Sequence, residues 1–372
     1  AAVPALLAAL AYAVLASAMP RAGGSYIYAS RGLHPYLGFV ASFAQWFGLS
    51  IAIGVVSYVT IPFARDVVAA LGWAGTAALL DTGPVRVGLA LALLWGAVWI
   101  NVRGLAVYQR ILVPLMLVMF VLGAIVIVAG FLHDQGDFAA GLMAREGVPV
   151  PELPDPGFNW WTFLAASAVL FSSFIGFDSI AQAGGEARNP SRTLPLAIGI
   201  AIVTVGSFYL LFTAAVYNTV PWSFIAERAR TQDLTAPGLL GYVLSPGWTI
   251  LIVAGAAIAL INDLPAMFLV MCLTVITLPR RNPALEREVT VLRNRRLRTG
   301  LAGAGVLLLL LFLGVHTIKD LTADVTAWYF RSTPLWLGVM ALASAIFLRE
   351  WRGLQVETGG QARRVFETLP PE

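Results

Sequence analysis

Long apolar runs separated by short polar segments dominate the pattern of this sequence. The hydrocarbon core of a membrane is about 30 Å thick, and a helix of about 17 to 25 apolar residues crosses it. Nine stretches match or approach that length: Ala1–Met19, Leu37–Ala64, Val87–Ile100, Ile111–Leu132, Trp160–Gly185, Leu194–Val220, Gly247–Leu278, Leu301–Val315 and Pro334–Leu348. The pattern therefore predicts an all-α membrane protein with about nine spans.

The composition indicates that lipid is the solvent for most of the chain. Hydrophobic residues make up 59% of the 372 residues and charged residues only 12%, against roughly 25% charged in soluble domains. This balance excludes a soluble enzyme, a disordered tail and a nucleic-acid-binding domain. The single cysteine, Cys272, excludes an internal disulfide and a cysteine-based metal site. Because no phosphate-loop, zinc-protease or serine-hydrolase motif occurs, we expect no enzyme, cofactor or metal.

Arginines concentrate in alternate predicted loops, and this placement predicts an orientation. Cytoplasmic loops carry an excess of Lys and Arg. The segments after the first, third and fifth spans hold these residues in pairs: Arg21 and Arg31, Arg103 and Arg110, Arg188 and Arg192. The segment His133–Asn159 is instead rich in acidic residues and is predicted to lie outside. We expect a multi-pass protein of the cell (plasma) membrane with a cytoplasmic C-terminus.

The stretch Gly247–Leu278 has an ambiguous number of crossings, which the following arginines resolve. As a helix it would be about 48 Å long, enough for one tilted or kinked span but not for three. An arginine-rich run from Arg280 to Arg298 follows it and is predicted to be cytoplasmic. One span broken near Pro265 satisfies both conditions. Such a basic run is typical of a juxtamembrane loop that also contacts anionic membrane lipid, and no nucleic-acid partner is expected.

The segment Ser172–Ser179 places a carboxylate and a flexible backbone inside an apolar span. A carboxylate at membrane depth costs at least about 2.5 kcal/mol and is normally paired or functional. Gly176 favours local unwinding, and unwound backbone at this depth is tolerated only where it lines a cavity. In the alternative interpretation, Ser172 and Ser173 bond to their own helix and Asp178 lies near the cytoplasmic interface.

A second polar group lies near the middle of the predicted span Gly247–Leu278. Asn262 and Asp263 precede Pro265, which removes a helical hydrogen bond and kinks the helix. One interpretation makes this group a cavity wall, a gate or a ligand of a coupling ion. The other is a packing kink in which Asp263 is protonated or paired.

Two motifs resemble those of the amino acid–polyamine–organocation (APC) superfamily of transporters. They are PRAGGSYIY at residues 20–28, followed by Gln45-Trp46, and FIGFDS at residues 174–179, followed by EARNPSRTLP at 186–195. Weaker similarity occurs at Asn101–Gly104 and Leu278–Pro283. The motifs come in the order expected for this superfamily. The sequence therefore resembles an amino acid permease of the superfamily.

The resemblance implies a fold of two inverted five-helix repeats, whose first and sixth helices are broken at the substrate site. On this resemblance we expect residues 1–372 to form one transporter domain. Its parts are 1–132 with first-repeat helices two to five, 160–279 with second-repeat helices, 300–349 with two C-terminal helices, and 350–372 as a cytoplasmic tail. In relatives the broken sixth helix binds the substrate's α-amino end through its backbone. That role falls on Ser173, Phe174, Ile175 and Gly176, with Phe177 and Asp178 just inward and Ser172 at the position of the exchangers' aromatic gate.

The resemblance also shows where this chain departs from the family. The sequence resembles the family from the second helix onward, and Cys272-Leu273 resembles a join between the eighth and tenth helices. Either the protein is a reduced member of the family, or the 372-residue sequence lacks the first helix and part of the eighth-to-tenth region. We expect the second alternative. An intact protein with a mass near 39.7 kDa would contradict that expectation.

Secondary transport of amino acids or related amines by alternating access is the function that the resemblance implies. A coupling ion, H⁺ or Na⁺, is an expected partner, and Asp178 and Asp263 are candidate relay groups. Met116 takes the place of a lysine that serves some proton-coupled relatives, so that mechanism is not expected. The alternative is a non-transporting membrane subunit or sensor of the same fold.

Overall fold

The computed structural model describes residues 1–102, 105–154, 157–174, 176–185, 187–230, 234, 239–244, 274–280, 282–322 and 332–369. All regular structure within these ranges is helical, as the apolar pattern predicts. The α-helices are α1 (Ala2–Ala18), α2 (Gly24–Gly32), α3 (Pro35–Ala70), α4 (Ala74–Leu80), α5 (Gly83–Val102), α6 (Leu105–Leu132), α7 (Gln135–Glu146), α8 (Trp160–Phe171), α9 (Pro190–Thr219), α10 (Trp222–Arg228), α11 (Pro283–Arg287), α12 (Arg295–Thr322) and α13 (Ser332–Glu357). In the described part of the chain, 3₁₀ segments lie at Ser172–Phe174, Phe177–Gly185 and Ala362–Phe366.

Three of the described helices, α9, α12 and α13, are long and apolar enough to cross a membrane. The number rises to five if each of two bent pairs forms one span, with bends of 78° between α4 and α5 and 99° between α6 and α7. Helices α1 and α8 are apolar but shorter, at 17 and 12 residues. Most of the predicted span Gly247–Leu278 lies outside the described residues. The all-α membrane class is therefore supported, and the count of nine spans stays a prediction.

Contacts divide the chain into two compact units. Unit 1 comprises Ala1–Leu49, Phe158–Gly206 and Asn262–Glu372, and unit 2 comprises Ser50–Gly157 and Ser207–Ile261. In unit 1, α1 contacts α8 and α12, and its side chains from Ala11 to Ala18 are buried all around the helix. Small alanine and serine side chains allow such close helix packing. Because Tyr12 is fully buried in this helix, its polar hydroxyl needs an internal partner.

Unit 2 has a separate hydrophobic core that includes residues of α6, α7, α9 and α10. Phe138 and Leu142 are one helical turn apart on α7, and both are fully buried there. The ring of Phe138 packs edge-on against Phe224 at a centroid distance of 5.0 Å. Thr219 Oγ1 donates to the Gly130 carbonyl at 2.7 Å and joins the ends of α6 and α9. These contacts give α7 a packing role in unit 2.

Helix α7 occupies a segment that the sequence analysis treated only as a connecting loop. The Asp134 side chain accepts hydrogen bonds from the backbone of Gly136 and Asp137, and Asp137 bonds back to the Asp134 N–H. This capping box satisfies the free N–H groups at the start of the helix. Gly147, with φ of 70°, ends it. A search for long apolar runs misses α7 because the helix is short and amphipathic.

The arginine run after residue 280 is not uniformly exposed. Arg298 is only 3% exposed and forms an ion pair with Glu286. It also donates to the Leu292 carbonyl at 3.3 Å. A buried arginine needs such partners because an unpaired buried charge is very costly. Arg298 therefore ties the start of α12 to α11 and does not belong to a fully solvated basic loop.

The C-terminal segment docks on α2 and on the start of α11. The Arg31 guanidinium lies 5.2 Å from the Phe366 ring centroid, within cation–π range, and Arg31 Nε donates to the Thr368 carbonyl at 3.4 Å. Asn282 Nδ2 donates to the Glu367 carbonyl at 3.0 Å. Residues 366–368 are thus held by side chains from two distant parts of the sequence.

Arg31→Gln is expected to loosen the C-terminal segment, because it removes the cation–π contact with Phe366. Amide hydrogen exchange in residues 363–368 should become about threefold faster. Arg363→Gln is the matched control, since Arg363 is exposed and lies in the same segment. Equal exchange rates in the two variants would contradict the docking role of Arg31.

Candidate functional site

The predicted span Trp160–Gly185 is interrupted in its middle. Helix α8 ends at Phe171, a 3₁₀ turn covers Ser172–Phe174, and a second 3₁₀ segment begins at Phe177. Ile175 lies between them, outside the described residues. The backbone thus departs from α-helical geometry where the sequence predicts unwinding, while a role of this segment in binding stays a prediction.

Gly176 has a backbone conformation that other residues rarely adopt. Its φ is +119°, and a Cβ added to it would meet no atom within 4 Å. The backbone angle, not lack of space, is therefore the reason for glycine here. Gly176 is exposed, its N–H donates to Asp178 Oδ1 at 3.0 Å, and its carbonyl accepts from the Ser179 N–H at 3.1 Å. Asp178 thus fixes the shape of the interruption through a local hydrogen bond.

Asp178 is completely buried and is held by a chain of hydrogen bonds. Gln45 Nε2 donates to Asp178 Oδ2, and Ser25 Oγ donates to Gln45 Oε1 at 3.1 Å. Tyr12 Oη lies 2.8 Å from Ser25 Oγ. A serine hydroxyl has one hydrogen, and that of Ser25 is directed to Gln45. Tyr12 therefore donates to Ser25, and all the bonds in the chain point toward the carboxylate.

This series of hydrogen bonds, which we call the Asp178 network, joins four elements of unit 1. Tyr12 lies on α1, Ser25 on α2, Gln45 on α3 and Asp178 on the second 3₁₀ segment. The Tyr12 ring also packs edge-on against Phe177 at 5.7 Å. Within the described part of the chain, the carboxylate has neutral partners and no ion pair. In this conformation Asp178 organises the backbone and is not accessible to a ligand.

The motif at residues 20–28 packs against the second 3₁₀ segment, Phe177–Gly185, which begins in the other motif. A Cβ on Gly184, in the second 3₁₀ segment, would lie 2.8 Å from the carbonyl carbon and oxygen of Arg21. Only glycine permits so close an approach. Gly24 is also close to this segment, because a Cβ added to Gly24 would lie 3.3 Å from Gln182 Cγ. The loop and short helix that begin at Pro20 therefore support the interrupted segment.

The predicted site residues differ in their environments. Ser173 and Gly176 are exposed, whereas Phe174, Phe177 and Asp178 are buried. Ser172 lies in the first 3₁₀ turn. Asn262 and Asp263 lie outside the described residues, as does Ile175. Among the residues that the structure describes, no group of three or more His, Cys, Asp or Glu side chains could hold a metal ion.

Sequence reasoning did not identify the partners of Asp178. Gln45 is a polar residue inside the apolar stretch Leu37–Ala64, the same signal that drew attention to Asp178. Polar side chains at such depth are expected to find one another. Tyr12 and Ser25 gave weaker signals, because tyrosine and serine also occur in membrane helices without such partners.

The match to a known protein family covers the interrupted segment and its hydrogen-bond partners. The family model described as "Amino acid permease" matches residues 1–277, which include the interrupted segment and the Asp178 network. The chain belongs to the amino acid permease family. Its apolar helices agree with membership of a family of membrane transporters.

Curated relatives of this permease are named as transporters. The chain is 25% identical to human "Cationic amino acid transporter 4" over 70% of its length and 40% of the relative. It is 26% identical to the "Cadaverine/lysine antiporter" of Escherichia coli K12 over 64% of the chain and 49% of the relative. A shorter match, 38% identical over 80 residues, is to the vacuolar "Cationic amino acid transporter 2" of Arabidopsis thaliana. The chain spans about half or less of the length of these relatives.

Gln45 and Asp178 are expected to be energetically coupled. Gln45→Leu leaves a buried carboxylate without its amide donor, and Asp178→Ala leaves the Gln45 amide without its acceptor. In a double-mutant cycle, the free energy of unfolding in detergent should show a coupling of about 1 to 3 kcal/mol.

A control cycle uses a hydrogen bond of unit 1 that is only partly buried. Tyr36 Oη lies 2.8 Å from Ser344 Oγ, and Tyr36→Phe with Ser344→Ala should give a coupling below about 1 kcal/mol. Additive effects of the two substitutions at Gln45 and Asp178 would contradict the network.

Proposed function

We propose that this permease is a secondary transporter that moves amino acids or related amines across a membrane by alternating access. The observation that carries the proposal is the interrupted helix of a permease-family chain, with backbone exposed at Gly176 and its conformation held by Asp178. The Gly176 N–H is occupied by Asp178, but its carbonyl accepts one hydrogen bond and has a second lone pair. Non-helical backbone at membrane depth presents such carbonyl groups to a cavity, where they can accept from the ammonium group of a small substrate.

The substrate site in this proposal is the segment Ser172–Asp178. Exposed backbone around Ser173 and Gly176 binds the α-amino end of the substrate, as the family resemblance implies. Phe174 and Phe177 are buried beside it and hold the segment against its neighbours. Asp178 is a positioning residue, because its carboxylate touches the Gly176 N–H and has no exposed surface.

The finer architecture forms part of the same proposal. Two inverted five-helix repeats would let one set of helices rock against the other around the interrupted segment. Arginines in alternate loops favour a cytoplasmic C-terminus and placement in the cell membrane. The coupling ion, H⁺ or Na⁺, would act through Asp263, or through Asp178 in another conformation of the cycle that opens the Asp178 network.

Names of the relatives guide the choice of substrates. Cationic amino acids, lysine and cadaverine occur in those names, and these compounds share an ammonium group. We therefore place them first in a panel that also contains small neutral amino acids, which the apolar surroundings of the interruption favour.

Uptake by purified protein in proteoliposomes tests the transport proposal. We expect saturable uptake, or exchange against internal substrate, for at least one labelled member of the panel. An imposed pH or Na⁺ gradient identifies the coupling ion by changing the initial rate. Folded protein that moves no member of the panel under any gradient would contradict transport and favour the non-transporting subunit.

Gly176→Ala is expected to lower transport by about tenfold or more, because alanine at a φ of +119° costs on the order of 1 to 3 kcal/mol. The site has open space for the added methyl group, so the protein should still fold. Initial uptake rates, normalised to folded protein, measure the effect.

Gly303→Ala in α12 is the matched control, since that glycine also has open space but lies in an α-helix with no positive φ. It should transport at the normal rate. Unchanged uptake by Gly176→Ala would show that the interrupted backbone is not needed for transport.

A further inference from the structure

An apolar groove with one polar end lies in unit 1, away from the interrupted segment. Its volume is about 390 Å³, and it is lined by α1, by the first part of α9 and by Thr290 and Val291. Leu6, Leu10 and Leu196 belong to its apolar wall. Arg192 and Ser191 supply polar groups from the start of α9.

The groove follows one face of α9 from the end of the helix inward. The α9 residues that line it recur every three or four positions: 191, 192, 195, 196, 199, 202 and 203. The distance along the helix from Arg192 to Val203 is about 16 Å at 1.5 Å per residue. One leaflet is half of a hydrocarbon core of about 30 Å. A groove that begins at the end of a candidate span thus has the depth of a single leaflet.

The walls of the groove are open to the surroundings of the protein. Leu6, Leu196 and Val203 are 49%, 60% and 59% exposed. Leu196 and Val203 lie on α9, which is a candidate membrane span, and we expect their exposed surfaces to face hydrocarbon. The occupant must therefore be largely apolar and must reach the groove from within the membrane.

We propose that this groove binds one anionic phospholipid, with its phosphate at Arg192 and an acyl chain along α9 toward Val203. Arg192, the one cation among the described residues that line the groove, complements a headgroup that carries net negative charge. Guanidinium binds phosphate oxygens with two parallel hydrogen bonds. Basic pockets between membrane helices are known to select such headgroups. A zwitterionic lipid of the same acyl chains fits the apolar part but brings its own cation near Arg192.

Gly199 allows the groove to be filled without disturbing the helix. It lines the groove, and a Cβ placed on it would meet no atom within 4 Å. Gly199→Leu therefore inserts a side chain into the space proposed for the acyl chain. Gly314→Leu in α12 is the matched control, because Gly314 has the same open surroundings outside the groove.

Native mass spectrometry of the detergent-solubilised protein tests the proposal, with phosphatidylglycerol and phosphatidylcholine of identical acyl chains as probes. We expect about fivefold tighter binding of phosphatidylglycerol to the unmodified protein. Arg192→Gln should remove the preference, while Arg192→Lys should keep part of it. Arg349→Gln is the charge control at the end of another span and should leave the preference intact. Gly199→Leu should weaken binding of both lipids, and Gly314→Leu should not.

Three results would overturn the proposal. One is equal binding of the two lipids to the unmodified protein, and another is an unchanged preference in Arg192→Gln together with unchanged binding of both lipids in Gly199→Leu. The third is that another polypeptide occupies the groove. A Gly199→Cys variant in a Cys272→Ser background would then form a disulfide-linked dimer in vesicles under mild oxidation. We expect that variant to remain monomeric. Since every readout is binding or cross-linking, the outcome does not depend on whether the protein transports.

Discussion

The burial of one carboxylate is the constraint on which the rest of unit 1 depends. Asp178 has no exposed surface, and a carboxyl group in such a place is tolerated only when its oxygens accept hydrogen bonds. One oxygen accepts from Gly176 and fixes the interruption, and the other accepts from Gln45 on α3. The same side chain thus fixes the local backbone geometry at Gly176 and connects the interrupted segment to α3.

The remaining contacts of unit 1 extend from that point. Ser25 and Tyr12 bring α2 and α1 into the network, and the close approach of Gly184 to Arg21 brings the second 3₁₀ segment against the chain before α2. Arg31, at the end of α2, binds the C-terminal segment. A movement of the interrupted segment would therefore act on α2, and through α2 on the C-terminus. Such connections suit a protein whose proposed cycle exposes one small segment to each side in turn.

Much of the helical framework could be predicted from the sequence, because it follows from long apolar runs. The predicted stretch Leu194–Val220 corresponds to α9 at Pro190–Thr219, and the predicted interruption near Gly176 coincides with the change of backbone geometry. The superfamily resemblance rested on two motifs, and the family match over residues 1–277 supports it. These features are local in sequence or encoded in contiguous motifs.

The rest depends on contacts between residues far apart in the sequence. Gln45 and Asp178 are separated by 133 positions, so no local pattern pairs them, although each is a polar residue in an apolar run. The sequence pattern did not predict helix α7, because this helix is defined by its caps and two buried side chains and not by a long apolar run. Arg298 was grouped with its basic neighbours because its partner Glu286 becomes visible only after α11 and α12 pack. The binding role of Ser172–Asp178 also stays a prediction, since a fold places a segment without naming its ligand.

Substrate protection of the interrupted segment tests the central claim most directly. Ser173 is exposed, and Ser173→Cys in a Cys272→Ser background provides a single reactive thiol there. Its rate of reaction with a water-soluble maleimide in proteoliposomes would be measured with and without saturating substrate. If the segment binds the substrate, a transported amino acid or amine slows the labelling, while a non-transported analogue has no effect. A labelling rate that no transported substrate changes would contradict the account.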